Sequence, residues 1–187
     1  MDNELVATSI PPEALPSFRR AQLLIILEAF KEGVTVDRLG YVEFFSANPF
    51  LIFRKPSAQR TRLIVSGFHP HTLSYQSSPE RYANRRTRLR SDLGALVASG
   101  LVVVRADAGE IVCQLTDSGL RAAGTFSTVY VDALRLSVDL VRQEMPRSAT
   151  NNAVSKKVSE WLRIEDLRID LLDLWFDHDF DGQGVLI

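Results

Sequence analysis

Residues 81–90, RYANRRTRLR, hold arginines at 81, 85, 86, 88 and 90, with Asn84 and Thr87 between them. A guanidinium group grips phosphate as a planar fork, and asparagine and threonine can reach base edges, so these residue types on one helix suit contact with a nucleic acid. Helical spacing puts Arg81 and Arg88 on one side of the apolar stripe formed by Tyr82, Leu89, Leu93, Leu96 and Val97, and Arg90 on the other. Arg86 projects close to the stripe itself, so either the helix's first turns stand clear of the core or Arg86 meets a carboxylate, a phosphate or a partner. Arg105 is the one cation of the strand pair that follows, which also carries Asp107 and Glu110 and so grips phosphate poorly.

Other groupings that could do chemistry are sparse. His69 and His71 form an isolated H-x-H with no neighbouring Cys or carboxylate, which reads as a surface loop and not a metal site. DHDFDG, 177–182, copies the opening of a calcium loop, but its twelfth position falls one residue beyond Ile187. The chain has no G-x-x-x-x-G-K-[ST], G-x-G-x-x-G or H-E-x-x-H pattern, and spacing nominates no nucleophile, base and acid set. The expectation is a chain with no catalytic residues, no metal and no cofactor.

The elements that must position these residues can be read along the chain. Ser17 is expected to cap a helix through FRRAQLLIILEAFKEG, apolar nearly all round and closed by Gly33. VDRLGYVEFFSAN is a second helix, with Asp37 near its start and Asn48-Pro49 at its end. Residues 54–79 read as an irregular connection in which LIVSGF pairs as a strand. Pro79, capped by Ser78, opens a helix over about 80–99 that stops at Gly100; Gly94 in its middle implies a close neighbour needing the space. LVVVR, the turn ADAGE and IVCQL then form a β-hairpin, and Thr116 caps a helix beginning DSGLRAA. Two more helices follow, STVYVDALRLSVDLVRQEM and NNAVSKKVSEWLR.

The fold expectation is therefore mainly α with a small β-hairpin: a winged helix-turn-helix over 17–145, with additional C-terminal helices. Residues 146–187 form a C-terminal helix and an acidic aromatic tail. Cys113, the single cysteine, falls in an apolar strand pattern and reads as a small buried hydrophobe; a lone cysteine also excludes an internal disulfide. No apolar run reaches a membrane span, and the acidic, proline-broken N-terminus is unlike a secretory signal, so a cytoplasmic location is expected.

Net charge is −1, which argues against a general nucleic-acid coat, but its distribution is uneven. Residues 54–90 carry nine Lys or Arg against Glu80 alone, while residues 164–187 carry seven acids against Arg168. Clustering of this kind suits charged partners or intramolecular pairing, and equally suits solvated faces. In the tail, Trp175, Phe176 and Phe180 sit among Asp177 and Asp179. This set has the shape of a docking segment for a partner's groove, or of a tail that folds back on its own domain.

AQLLIILEAF, RLGYVEFFSANPF, GFHPHTLSYQSSPERYANRRTRLRSDLGALVASGLVVV and GLRAAGTFSTVYVDALRLSVDLV, in that order, resemble the middle component of ABC-three-component systems, the Lamassu-type bacterial defence operons. The likeness covers about residues 18–145 and rests on element order, loop placement and residues such as His69-Pro70 and Gly100-Leu101-Val102. Phe45-Ser46-Ala47-Asn48 departs from the polar end expected of the second helix, and the chain after Met145 lies outside the match. The resemblance implies a non-catalytic adaptor between a coiled-coil ATPase of the structural-maintenance-of-chromosomes (SMC) type and an effector, often a nuclease. The ATPase would sense phage or plasmid DNA, and the adaptor would restrain the effector until then. The residues alone leave room for a winged-helix transcriptional regulator, homodimeric through its C-terminal helices.

Overall fold

The computed structural model describes residues 12–70, 78–107, 109–146 and 149–162. The chain divides into two compact units, 1–149 and 150–187. The first is mainly helical with a small antiparallel sheet. Its elements are α1 (Pro16–Glu28), β1 (Val34–Thr35), α2 (Val36–Ala47), α3 (Ala58–Val65), α4 (Ser78–Ala98), β2 (Val102–Asp107), β3 (Glu110–Leu115), α5 (Asp117–Gly124) and α6 (Val129–Glu144).

Five consecutive residues of α1, Leu23 to Leu27, are buried, so this helix is enclosed on all sides, as its apolar run requires. It packs against α2, α4, α5, α6 and β3. The helix begins at Pro16 after Leu15, not under a Ser17 cap: proline's fixed φ and missing N–H suit the first turn, and Ser17 lies within it. On α2, Leu39, Val42, Phe44 and Phe45 are at most 1% exposed; the helix packs on α6, whose Val131, Leu134, Val138 and Val141 are also buried, and the Phe44 ring meets Tyr82 of α4 edge-on. The caps are local and sequence-encoded. Thr35 accepts the Arg38 amide, Thr116 the Gly119 amide and Thr128 the Val131 amide, each three residues ahead.

The expected irregular connection with a strand at LIVSGF is instead interrupted by α3. Ser57 Oγ accepts the Arg60 N–H at 3.1 Å and starts the helix. Leu63 is fully buried, while Ile64 and Val65 are exposed, which is helical and not alternating burial. Leu63 joins Phe50, Phe53 and Leu140 in a small second cluster that seats α3 on α6.

The three strands run in the order β1-β3-β2 and are antiparallel throughout. Val34 pairs with Cys113, and the hairpin runs in unbroken register from Val102↔Leu115 to Asp107↔Glu110. Gly109 closes the hairpin at φ 84°, a conformation that side-chain-bearing residues seldom adopt. Cys113 is fully buried, as its pattern suggested. Where α5 leaves the sheet, a Cβ on Gly119 would stand 2.0 Å from the Leu101 carbonyl oxygen, so only glycine permits that approach.

The second unit contains α7 (Asn151–Leu162), whose start is capped by Thr150 Oγ1 accepting the Ala153 amide at 3.3 Å. Val154, Val158 and Leu162 recur at fourfold spacing, and Lys157 lies 5.9 Å from the Trp161 ring centre. Among the described residues no helix is long and apolar enough to cross a membrane.

Candidate macromolecule-binding surface

The arginine-rich segment forms the first turns of α4, and the helix divides its charges between two faces. The inward face carries Tyr82, Leu89, Leu93 and Leu96, each at most 6% exposed; Val97, expected in the same stripe, is 40% exposed at its margin. Arg85 and Arg86 also turn inward. Arg85 Nε meets Glu43 of α2 at 2.8 Å, and its Nη2 donates to Gln22 Oε1 of α1 at 3.1 Å. Gln22 in turn donates to the Tyr130 hydroxyl of α6. Arg86 pairs with Asp37 at the start of α2, donates to the Tyr82 hydroxyl at 3.0 Å and lies 6.0 Å from the Tyr41 ring centre. The inward-projecting Arg86 thus finds its carboxylate within the chain.

Nearly two turns further on, Asp92 is only 2% exposed and accepts from Arg19 Nε at 2.6 Å, with Arg20 at 3.5 Å. Burial pushes the Glu43 carboxyl above its ordinary range, and the guanidinium of Arg85 pulls it back. Burial likewise raises the Tyr82 hydroxyl against the pull of Arg86. These groups form a low-dielectric polar layer that fixes α4 to α1 and α2.

The opposite face of α4 is exposed and lined by small or short polar side chains: Ala83, Asn84, Thr87, Ser91, Gly94 and Ala98. At 100° per residue, Arg88 borders it on one edge with Arg81, and Arg90 borders the other. Arg88 and Arg90 are exposed, and Arg81 is half-buried. Gly94 lies on this outer face, and a Cβ added there would meet no atom within 4 Å, so no close neighbour demands the glycine. On the hairpin, Arg105 Nη2 donates to the Glu32 carbonyl at 3.1 Å, which draws it across the sheet. Thus Arg81, Arg88 and Arg90 lie at the edges of the outer face, and Arg85, Arg86 and Arg105 reach other elements of the fold. Asp92 and Glu43, the anchors behind that division, were not singled out from sequence, because their partners lie on other elements.

An open groove of about 950 Å³ lies on another side of this unit, lined by Lys31, Arg38, Arg62, Asp107, Glu110 and Arg142 among others. Several of its charges are engaged locally. Arg38 donates to the Met145 carbonyl at 2.7 Å, and Arg142 lies 3.6 Å from Asp139 and 4.9 Å from the Phe30 ring centre. Among the described residues no three His, Cys, Asp or Glu side chains converge as metal ligands. His69 is exposed. His71, the DHDFDG run and the expected docking residues Trp175, Phe176, Asp177, Asp179 and Phe180 lie outside the described residues.

Comparison with protein-family models, with curated proteins and with solved structures found no match for the chain.

Proposed function

We propose that residues 17–145 are a winged helix-turn-helix module and that the chain is a non-catalytic adaptor subunit which holds duplex DNA against the outer face of α4. The fold reading is supported by the element order α1–β1–α2–α4–β2–β3, with β1 closing the sheet on β3 and the hairpin leaving directly from α4. In such modules the helix before the wing enters the major groove. The insertion of α3, which packs on α6, lengthens the turn of the motif between α2 and α4.

The observation that carries the functional reading is the division of arginines on α4. Two of them lock the helix in place from behind. Short side chains occupy the outer face, which lets the backbone approach base edges, and Arg88 and Arg90 border it where phosphates would run. The hairpin tip, with Asp107 and Glu110, adds little grip. Such a surface suits binding of duplex DNA with modest sequence preference, as an adaptor beside an SMC-like ATPase and an effector nuclease would need.

The test has two parts. Fluorescence anisotropy with a mixed-sequence duplex is expected to show salt-sensitive binding that Arg88→Glu with Arg90→Glu abolishes. Affinity purification of the tagged full chain from its host is expected to recover a coiled-coil ATPase. Protection of one palindromic operator with no ATPase recovered would replace the adaptor by a transcriptional regulator.

A further inference from the structure

Asn84 and Thr87, on the outer face of α4, are neither cations nor anchors of the fold. Both are exposed, and at 100° per residue they stand about 60° apart, near the middle of the arc between Arg81 and Arg88 on one edge and Arg90 on the other. Their chemistry differs. Among the described residues no hydrogen bond engages the Asn84 amide, so it keeps an acceptor oxygen beside a nitrogen with two protons to donate. The Thr87 hydroxyl donates to the Ala83 carbonyl at 3.1 Å, one turn back in the same helix. Its single proton is committed there, and what remains to offer a neighbour is the Cγ2 methyl.

We infer that Asn84 reads adenine and Thr87 reads the methyl of a neighbouring thymine, so that α4 selects A·T pairs through the major groove. This selection rests on the DNA binding proposed above and adds to it the bases chosen. A carboxamide matches adenine, its oxygen accepting from the N6 amino group and its nitrogen donating to N7. Guanine presents acceptors at both places, O6 and N7, and sets one of them against the carboxamide oxygen. The threonine methyl finds its counterpart in the C5-methyl of thymine, which cytosine lacks. With its proton committed, Thr87 also has no donor for guanine. The spacing agrees: three residues of helix advance about 4.5 Å, close to the roughly 3.4 Å between successive base pairs, so the two side chains fall on adjacent pairs. Ala83, Ser91 and Gly94 are too short to compete, and Arg88 stands at the edge, where the phosphates run.

Fluorescence anisotropy of the full chain on duplexes of one length tests this. An alternating A·T duplex is expected to bind about tenfold more tightly than a G·C duplex. An inosine·cytosine duplex shows the major-groove edge of G·C and the minor-groove edge of A·T, and is expected to bind like G·C. Replacing adenine by 7-deazaadenine, which lacks N7, or thymine by uracil, which lacks the methyl, is expected to weaken binding about threefold or more. Asn84→Ala, favourable to an exposed helix position, is expected to lose the response to 7-deazaadenine and keep the response to uracil. Thr87→Ser keeps the hydroxyl, removes the methyl, and is expected to lose the response to uracil alone. Neither variant is expected to change the salt dependence, because neither side chain neutralises a phosphate. Salt-sensitive binding with equal affinity for A·T and G·C would overturn the base assignment and leave the DNA reading standing. Tight binding to inosine·cytosine would move the selection to the minor groove and overturn it as well, as would variants that keep both responses. No binding to any duplex would remove both readings.

Discussion

Arg85 of α4 and Glu43 of α2 form an ion pair of 2.8 Å with side chains only 15% and 8% exposed, so the centre of the chain's most basic segment is spent inside the protein. A buried pair of this kind does not by itself add much stability, because desolvation of both ions offsets their attraction. Removing one partner is another matter. Glu43→Ala leaves Arg85 beside Gln22 with an uncompensated charge, and is expected to lower unfolding free energy by about 3–5 kcal/mol in urea denaturation. The double replacement Glu43→Leu with Arg85→Met restores an apolar contact and is expected to recover most of that loss.

Gly94 provides the opposite case. It is the seventeenth of the 21 residues of α4, on the exposed face, with room for a side chain. A helix-interior glycine of this kind costs about 1 kcal/mol against alanine, through backbone entropy lost on folding. Gly94→Ala is therefore expected to raise the unfolding free energy by that amount, shifting the urea midpoint upward with an unchanged m-value.

Elements whose signals are local were legible in the sequence. The Thr116 cap sits next to the run it starts, and Gly109 marks the place where the hairpin turns; the Thr35 and Thr128 caps, equally local, were not read. α3 was missed because Leu63-Ile64-Val65 has the composition of a strand, while the helix depends on one anchor, Leu63, and on the Ser57 cap. Gly94 was misjudged because a costly glycine suggests a crowded neighbour, and its orientation on α4 shows open space. The fate of the arginines was harder. Arg85 and Arg86 reach Glu43 and Asp37, more than 40 residues away in sequence, and no spacing within RYANRRTRLR announces partners on another helix.

Cys113 links burial to pH. Its thiol is pushed up to about 11 by desolvation, against about 8.5 for an exposed cysteine. As pH rises, the unfolded chain gives up this proton first, so between those values the folded state binds more protons. The stability held by the neutral thiol is complete below about pH 8.5 and drains away toward about pH 11, by at most about 1.4 kcal/mol per unit. Urea midpoints of the wild type are expected to fall more steeply than those of Cys113→Ala over this window. The native thiol is expected to resist Ellman's reagent at neutral pH and to react once on denaturation, there being one cysteine in the chain.

The two faces of α4 are separable by salt. An arginine that neutralises a phosphate releases counterions, so its loss lowers the slope of log affinity against log salt by about 0.9. Arg88, exposed at one edge of the outer face, is expected to behave this way: Arg88→Ala lowers the slope by about that amount and leaves thermal stability unchanged, as most surface changes do. Arg86 is already paired with Asp37 and bonded to Tyr82, so it neutralises no phosphate and releases no counterions. Arg86→Ala is expected to lower stability and to keep the wild-type salt slope, measured at a temperature where the variant is folded. Equal slopes for wild type and Arg88→Ala, with a reduced slope for Arg86→Ala, would place the phosphates on the inner edge of α4 and refute the assignment of its outer face to DNA.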